Sequence, residues 1–328
     1  MKRLLTGLLA LALAASLTAC GREAPPEDGR LRVVCTLFPY YDFVRQIGGD
    51  AVDVTLLVPA GRETHSFEPT PRDVIRISEA DVFLYNGGES EQWVDDILDA
   101  AGTDIPCVLS MMDAAELYEE EYAEGMQAAP GHDHDHDDHD HDGHDHDDHD
   151  EDIGYDEHIW TSPVTAMTLC RVIADALCEA DPANAEGYRV RLDDYLTRLA
   201  ALDETFRDIV ANASRRLLVF GDRFPLLYFC RAYGLDYRAA FHGCAGDTEP
   251  SLATLKYLID LVNGQHIPVV YTIELSSRKV AQAIAETTGA QVRTFHSCQT
   301  VSRAEFDSGV TYLQLMEANA DALREGLS

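Results

Sequence analysis

The stretch ANAEGYRVRLDDYLTRLAALDETFRDIVAN, residues 183–212, decides the fold. Its apolar residues fall at Tyr188, Leu192, Tyr195, Leu196, Leu199, Leu202, Phe206, Ile209 and Val210, in steps of three and four. That spacing marks one face of a single helix. At 1.5 Å per residue such a helix spans ~40 Å, long enough to brace two lobes.

On either side the pattern becomes strand–helix alternation. Before the long helix, β-rich runs at Leu31–Leu37, Val52–Val58, Val82–Tyr85 and Cys107–Ser110 are separated by helical spacing at Tyr40–Ile47, Thr70–Ala80 and Glu91–Ala101, and a further helix follows at Pro163–Glu179. After it, strands are expected at Arg216–Phe220, Asp236–Phe241, Pro268–Ile273 and Gln291–Phe295. Helices are expected at Phe224–Tyr233, Ser251–Asn263, Arg278–Thr288 and Gly309–Leu323. Alternation of this kind implies parallel sheets covered by helices on both faces. The expected fold is α/β: two lobes, each with a mainly parallel sheet flanked by helices, joined by one long helix. The N-terminal lobe takes residues 31–182, the interlobe helix 183–212 and the C-terminal lobe 213–328.

The first 30 residues read as an address and a tether. Lys2 and Arg3 precede an apolar run, Leu4 to Leu17, that is short for a membrane span. The run closes on Leu17-Thr18-Ala19-Cys20-Gly21, which resembles the lipobox of bacterial lipoproteins. Residues 1–19 are then a signal peptide, Cys20 carries the lipid, and residues 20–30 are a tether. The expected location is extracytoplasmic, anchored to the bacterial cell membrane.

Composition excludes one class of partner. Asp and Glu total 58 against 25 Lys and Arg, a formal net charge of −33. A nucleic-acid binder needs a basic face for the phosphate backbone, so none is expected here. Part of the acidity is local, since residues 131–152 hold eleven Asp, one Glu and eight His without a Lys or Arg. Such a run buries no core, and its closely spaced imidazoles and carboxylates can gather metal ions weakly.

Five further histidines stand alone. His65 follows the second strand, His158 precedes a helix, and His242 and His296 each follow a strand of the second lobe. Ligands of open α/β sheets bind outside the carboxyl ends of the strands, so these four can converge on one cleft. Neutral imidazole is a favoured ligand for zinc, copper, iron and nickel. His266, in the helix-ending turn Asn263-Gly264-Gln265-His266, reads as surface.

Three ordered motifs accompany the histidines: Val58-Pro59-Ala60-Gly61 leading to His65-Ser66-Phe67-Glu68-Pro69, then Ala80-Asp81-Val82-Phe83-Leu84-Tyr85-Asn86-Gly87-Gly88 with Glu91 and Trp93, then Asp156-Glu157-His158-Ile159-Trp160 with Pro163. Tyr233-Gly234-Leu235, Glu249-Pro250-Ser251 and Glu286-Thr287-Thr288-Gly289-Ala290 follow in order. The set resembles the substrate-binding receptors of zinc and manganese ABC importers, from about Leu31 to Leu327, and most of all the zinc-specific members. The resemblance implies two lobes on a long helix, a metal held between them by four side chains, and a membrane permease with a separate ATPase subunit as partners. No enzymatic activity is expected, since four protein ligands would close the metal site, and the chain is expected to be a monomer.

Two of the family's ligands match His65 and His158, and the position after the last strand falls on His296. The third family ligand, three residues before Phe224, falls on Gly221, which has no side chain. Asp222 is the nearest replacement, with His242 and Glu274 as rivals. The expected set is therefore His65, His158, Asp222 and His296. Three imidazoles and one carboxylate suit tetrahedral zinc at ~2.0–2.2 Å per ligand, whereas manganese favours more oxygen. A manganese or iron receptor of the same family is the first alternative, and a zinc-buffering or adhesive surface lipoprotein the second. Cys244 and Cys298 each follow a strand-end histidine by two residues and are candidates for a disulfide, while Cys35, Cys170 and Cys178 read as small core residues. No His-Glu-x-x-His run, P-loop, G-x-S-x-G or dinucleotide fingerprint is present.

Overall fold

A computed structural model describes residues 29–64, 66–101, 105–126, 154–241 and 250–328. The signal peptide, Cys20, His65, the run 131–152, His242 and Cys244 lie outside the described residues. From Leu31 onward the chain forms one compact unit.

Two four-stranded parallel sheets carry it. The first holds β1 (Leu31–Cys35), β2 (Val52–Leu56), β3 (Val82–Tyr85) and β4 (Cys107–Ser110) in the order β2-β1-β3-β4. The second holds β5 (Leu217–Phe220), β6 (Asp236–Ala239), β7 (Val269–Thr272) and β8 (Gln291–Thr294) in the matching order β6-β5-β7-β8. The inner strands are short apolar runs because both of their faces are covered. Val33, Val82 and Leu84 turn toward α1 (Phe38–Gly48), while Val34 and Phe83 turn toward α2 (Pro71–Ser78) and α3 (Trp93–Ala101). In the second sheet Leu218, Phe220 and Tyr271 join the same central core as α1. Val219 and Val270 face α7 (Leu252–Gly264) and α8 (Lys279–Thr288) instead.

The central core is shared between the lobes. It runs without a break through α1, α4 (Pro163–Ala180), α5 (Ala185–Ala211), α6 (Leu227–Tyr233) and α10 (Tyr312–Gly326). The long helix α5 has 27 residues. Tyr188, Tyr195, Leu199, Leu202, Phe206 and Val210 of the expected face are buried in that core, and Leu192, Leu196 and Ile209 pack partly against it. In its first half Tyr195 meets Phe43 of α1 at 6.1 Å between rings. Near its end Phe206 meets Phe229 of α6 edge-on at 4.9 Å. Each half thus serves one sheet. Arg191 of α5 also donates to the carbonyls of Ile47 (2.6 Å) and Gly48 (2.8 Å), which the last turn of α1 would otherwise leave unpaired.

Two local differences from the sequence expectation have plain causes. The helix expected from Phe224 begins at Leu227, because Pro225 disfavours helical geometry in the residue before it. A short helix not expected, α9 (Arg303–Asp307), is closed by a reciprocal capping box between Ser302 and Glu305. Cys35 and Cys170 are buried as expected, while Cys178 is only partly so. No described helix is long and apolar enough to cross a membrane.

Candidate metal site

The first described ligand candidate, His158, is buried. Asp156 holds it: one carboxylate oxygen accepts the His158 backbone N–H at 2.8 Å and lies 3.1 Å from Nδ1. With Nδ1–H donated to a carboxylate, Nε2 keeps the lone pair that a metal would take. The ring leans edge-on against Trp160 at 5.5 Å.

The Asn86-Gly87-Gly88…Glu91 motif builds the wall behind His158. Asn86 Nδ2 donates to the Glu157 carbonyl at 3.0 Å, and Tyr40 donates to Asn86 Oδ1 at 2.5 Å. The Glu157 carboxylate accepts from the Ser90 amide at 2.9 Å and from its hydroxyl. Gly88 has φ +84°, and a Cβ there would sit 2.4 Å from that carboxylate, so only glycine lets the loop close over Glu157. Glu91 accepts the amides of Asn86 (2.6 Å) and Gly87 (3.1 Å), and burial pushes its carboxyl up to about 7.

The second candidate, His296, is partly buried at the end of β8. The next residue, Ser297, is held by Glu274, which accepts its amide at 2.7 Å and its hydroxyl at 2.5 Å. This rival ligand thus shapes the His296 loop with one bond to each oxygen, and each oxygen keeps a further lone pair. Cys298 is buried with φ +62°.

Asp222 is buried just past β5. Its carboxylate accepts the Arg223 amide at 2.9 Å and the Ile273 amide at 3.1 Å. Burial raises its carboxyl above the ordinary value, against the hydrogen bonds from Ser276 and from these two amides. Three donors against about four lone-pair sites leave one site of the carboxylate open. The preceding residue has no room for a side chain. A Cβ on Gly221 would lie 2.5 Å from the Ala281 Cα and 2.7 Å from its backbone nitrogen. Helix α8 packs directly on the end of β5, and no side chain fits at 221. The rival His242 follows Phe241, whose amide bonds the Asp222 carbonyl at 3.3 Å.

Three bonds between the lobes, two of them buried and the third at the surface, draw these segments together. The Trp160 indole donates to the Ser297 carbonyl at 2.8 Å, which joins the His158 and His296 segments. Gln299 donates to Thr64 Oγ1 at 2.6 Å, which joins the residue before His65 to the His296 loop. Arg223 pairs with Glu63 at 3.2 Å, which joins the Asp222 segment to the same stretch. The described backbones converge, but the described side chains do not all meet. Among the described residues no group of three or more His, Cys, Asp and Glu is placed to hold a metal ion.

Sequence reasoning passed over two acids beside His158. Asp156 stands in a quoted motif, and its i, i+2 relation to the histidine was the available signal. Glu120 had none. It lies on a strap that leaves β4, bridges Glu119 to Tyr155 antiparallel, and bonds its own amide to the Gly154 carbonyl at 2.9 Å. Burial, then Asp156, lifts its carboxyl to about 7, with His158 acting the other way. The strap lies on the second lobe through Tyr118 against Tyr228 (4.9 Å between rings) and an ion pair between Glu121 and Arg231. Both flanks of the His/Asp-rich run are thereby held next to the His158 segment.

The profile of the zinc-uptake complex component A periplasmic family, ZnuA, matches residues 33–326. The chain belongs to this family. Its members are substrate-binding proteins of zinc uptake rather than enzymes, and so is this chain. The high-affinity zinc uptake system protein ZnuA of Bacillus subtilis (strain 168) is 32% identical over 319 residues, covering 94% of this chain and 93% of that protein. The zinc-binding lipoprotein AdcA of Streptococcus pneumoniae is 30% identical, covering 97% of this chain but only 60% of that protein's length. The Zn(II)-bound ZnuA-like domain of AdcA from Streptococcus pneumoniae superposes with a TM-score of 0.71 at 26% identity, covering 91% of this chain and 99% of that domain. The family expected from the motifs is thus the family shown, and these three relatives carry zinc in their names.

Proposed function

We propose that this chain is the extracytoplasmic receptor of a zinc ABC importer, holding the ion between its lobes with His65, His158, Asp222 and His296. Lipid on Cys20 ties it to the cell membrane, and it hands zinc to a permease driven by a separate ATPase subunit. The observation that carries the reading is the convergence of the ligand-bearing segments through the Trp160–Ser297, Gln299–Thr64 and Arg223–Glu63 bonds. Donor chemistry supports zinc as cargo, since imidazole with one carboxylate suits a tetrahedral ion and manganese prefers oxygen. The run 131–152 gathers zinc near the cleft on the same reading, supported by the described chain on either side of it, where Glu120 bonds Gly154 close to the His158 segment.

Competitive titration of the full chain with zinc and manganese tests this, with His158→Ala, Asp222→Asn and Glu274→Gln in parallel. Zinc should bind far more tightly than manganese. His158→Ala should abolish tight binding, and Asp222→Asn should weaken it more than Glu274→Gln does. Tight manganese in place of zinc would overturn the cargo. A larger loss from Glu274→Gln would move the carboxylate ligand from Asp222 to Glu274.

A further inference from the structure

β8 is the edge of its sheet, so its backbone runs out of strand partners where the chain turns toward the cleft. The Phe295 amide still bonds the Thr272 carbonyl at 2.8 Å, continuing the ladder. At His296 that ladder ends, yet a partly buried N–H and C=O there must still be satisfied. A side chain 23 residues away supplies both partners. Asn319 Oδ1 accepts the His296 amide at 2.6 Å, and Asn319 Nδ2 donates to the His296 carbonyl at 2.8 Å.

Asn319 is wholly buried in α10, among the apolar residues Leu315, Met316, Ala320 and Leu323. Burying an amide is costly unless its hydrogen-bonding groups are used, and the two bonds recorded to the backbone are both to one residue. Helix α10 is itself pinned to the first lobe. The Tyr312 amide donates to the buried Asp42 of α1 at 2.8 Å, and the Tyr312 hydroxyl donates to the Trp160 carbonyl at 2.8 Å. The amide that frames His296 therefore rides on a helix fixed to the lobe that carries His158.

We infer that Asn319 is the positioning residue for His296: it imitates a neighbouring strand, fixes the backbone frame from which the imidazole leaves β8, and so sets zinc affinity without touching the ion. The inference rests on His296 being a zinc ligand, as proposed above.

The test is a double-mutant cycle on zinc affinity, read by competition with a chromophoric chelator. Asn319→Asp keeps shape and the acceptor but loses the donor; Asn319→Ala loses both, and circular dichroism reports whether each folds. Partners that orient a ligand typically cost 10–100-fold in metal affinity when removed, so Asn319→Asp should weaken zinc by about tenfold or more. In a His296→Ala background the same change should cost less than about twofold, because coupled residues are not additive. An unchanged affinity for folded Asn319→Asp, or an equal loss in both backgrounds, would overturn the inference and reduce Asn319 to a packing residue. A His296→Ala chain that binds zinc as tightly as the parent would instead overturn the ligand assignment itself.

Discussion

The Trp160 indole N–H donates to the Ser297 carbonyl across 137 residues of sequence, 2.8 Å from nitrogen to oxygen and shut away from solvent. Trp160 stands two residues after His158, and Ser297 stands one after His296, so a single hydrogen bond spaces the two histidine segments. Trp160→Phe keeps most of the ring volume but strands a buried carbonyl. The cost of an unsatisfied buried acceptor is about 1–3 kcal/mol. Urea unfolding of the metal-free chain should show a loss of that size, with weaker zinc binding beside it. An unchanged midpoint and affinity would show that the bond does not hold the lobes in register.

Glu91 makes stability depend on pH. Burial lifts its carboxyl from the ordinary 4.5 to about 7. Between those values the folded chain keeps a proton that the unfolded chain has released. Stability therefore falls as pH rises through this window. For a shift of this size the penalty accumulated by about pH 7.5 is on the order of 3 kcal/mol. Glu91→Gln keeps an acceptor for the Asn86 and Gly87 amides without the charge. Its unfolding free energy, relative to the parent, should rise by that amount between about pH 4.5 and pH 7.5. A constant difference across this range would contradict a buried, neutral Glu91.

Gly221 should tolerate nothing larger. Gly221→Ala drives a methyl into the backbone of Ala281. Overpacking of this kind costs about 1–3 kcal/mol, and the thermal midpoint should fall accordingly. Gly221→His, which would restore an imidazole at the family's usual ligand position, should unfold more readily still and bind zinc no more tightly. Tighter zinc in a stable Gly221→His chain would show that α8 yields and that the site has room for a ligand there.

Much of this fold can be read from periodicity alone, because each inner strand is a short β-rich run and α5 keeps its apolar stripe for its full length. The errors lie at ends, where one residue decides: Pro225 delays α6 to Leu227, and the Ser302-x-x-Glu305 box starts α9 without an apolar stripe to announce it. His296 is a candidate by sequence because it stands past a strand end, where α/β folds place ligands, and His158 because it stands just before a helix. The residues that hold them are less so. Asp156 is close in sequence, but Asn319 is one polar residue in an amphipathic helix, and nothing local distinguishes it from a solvent-facing asparagine. The reason for glycine at 221 is invisible until α8 is seen against β5.

The most direct test is elemental analysis and competitive titration of the chain lacking residues 131–152, with His65→Ala made in the same background. About one tightly bound zinc per chain, lost with His65→Ala, is the result expected for a cleft site independent of the His/Asp-rich run. No tight zinc in the shortened chain, or tight zinc that survives His65→Ala, would contradict a site built from the histidines between the lobes.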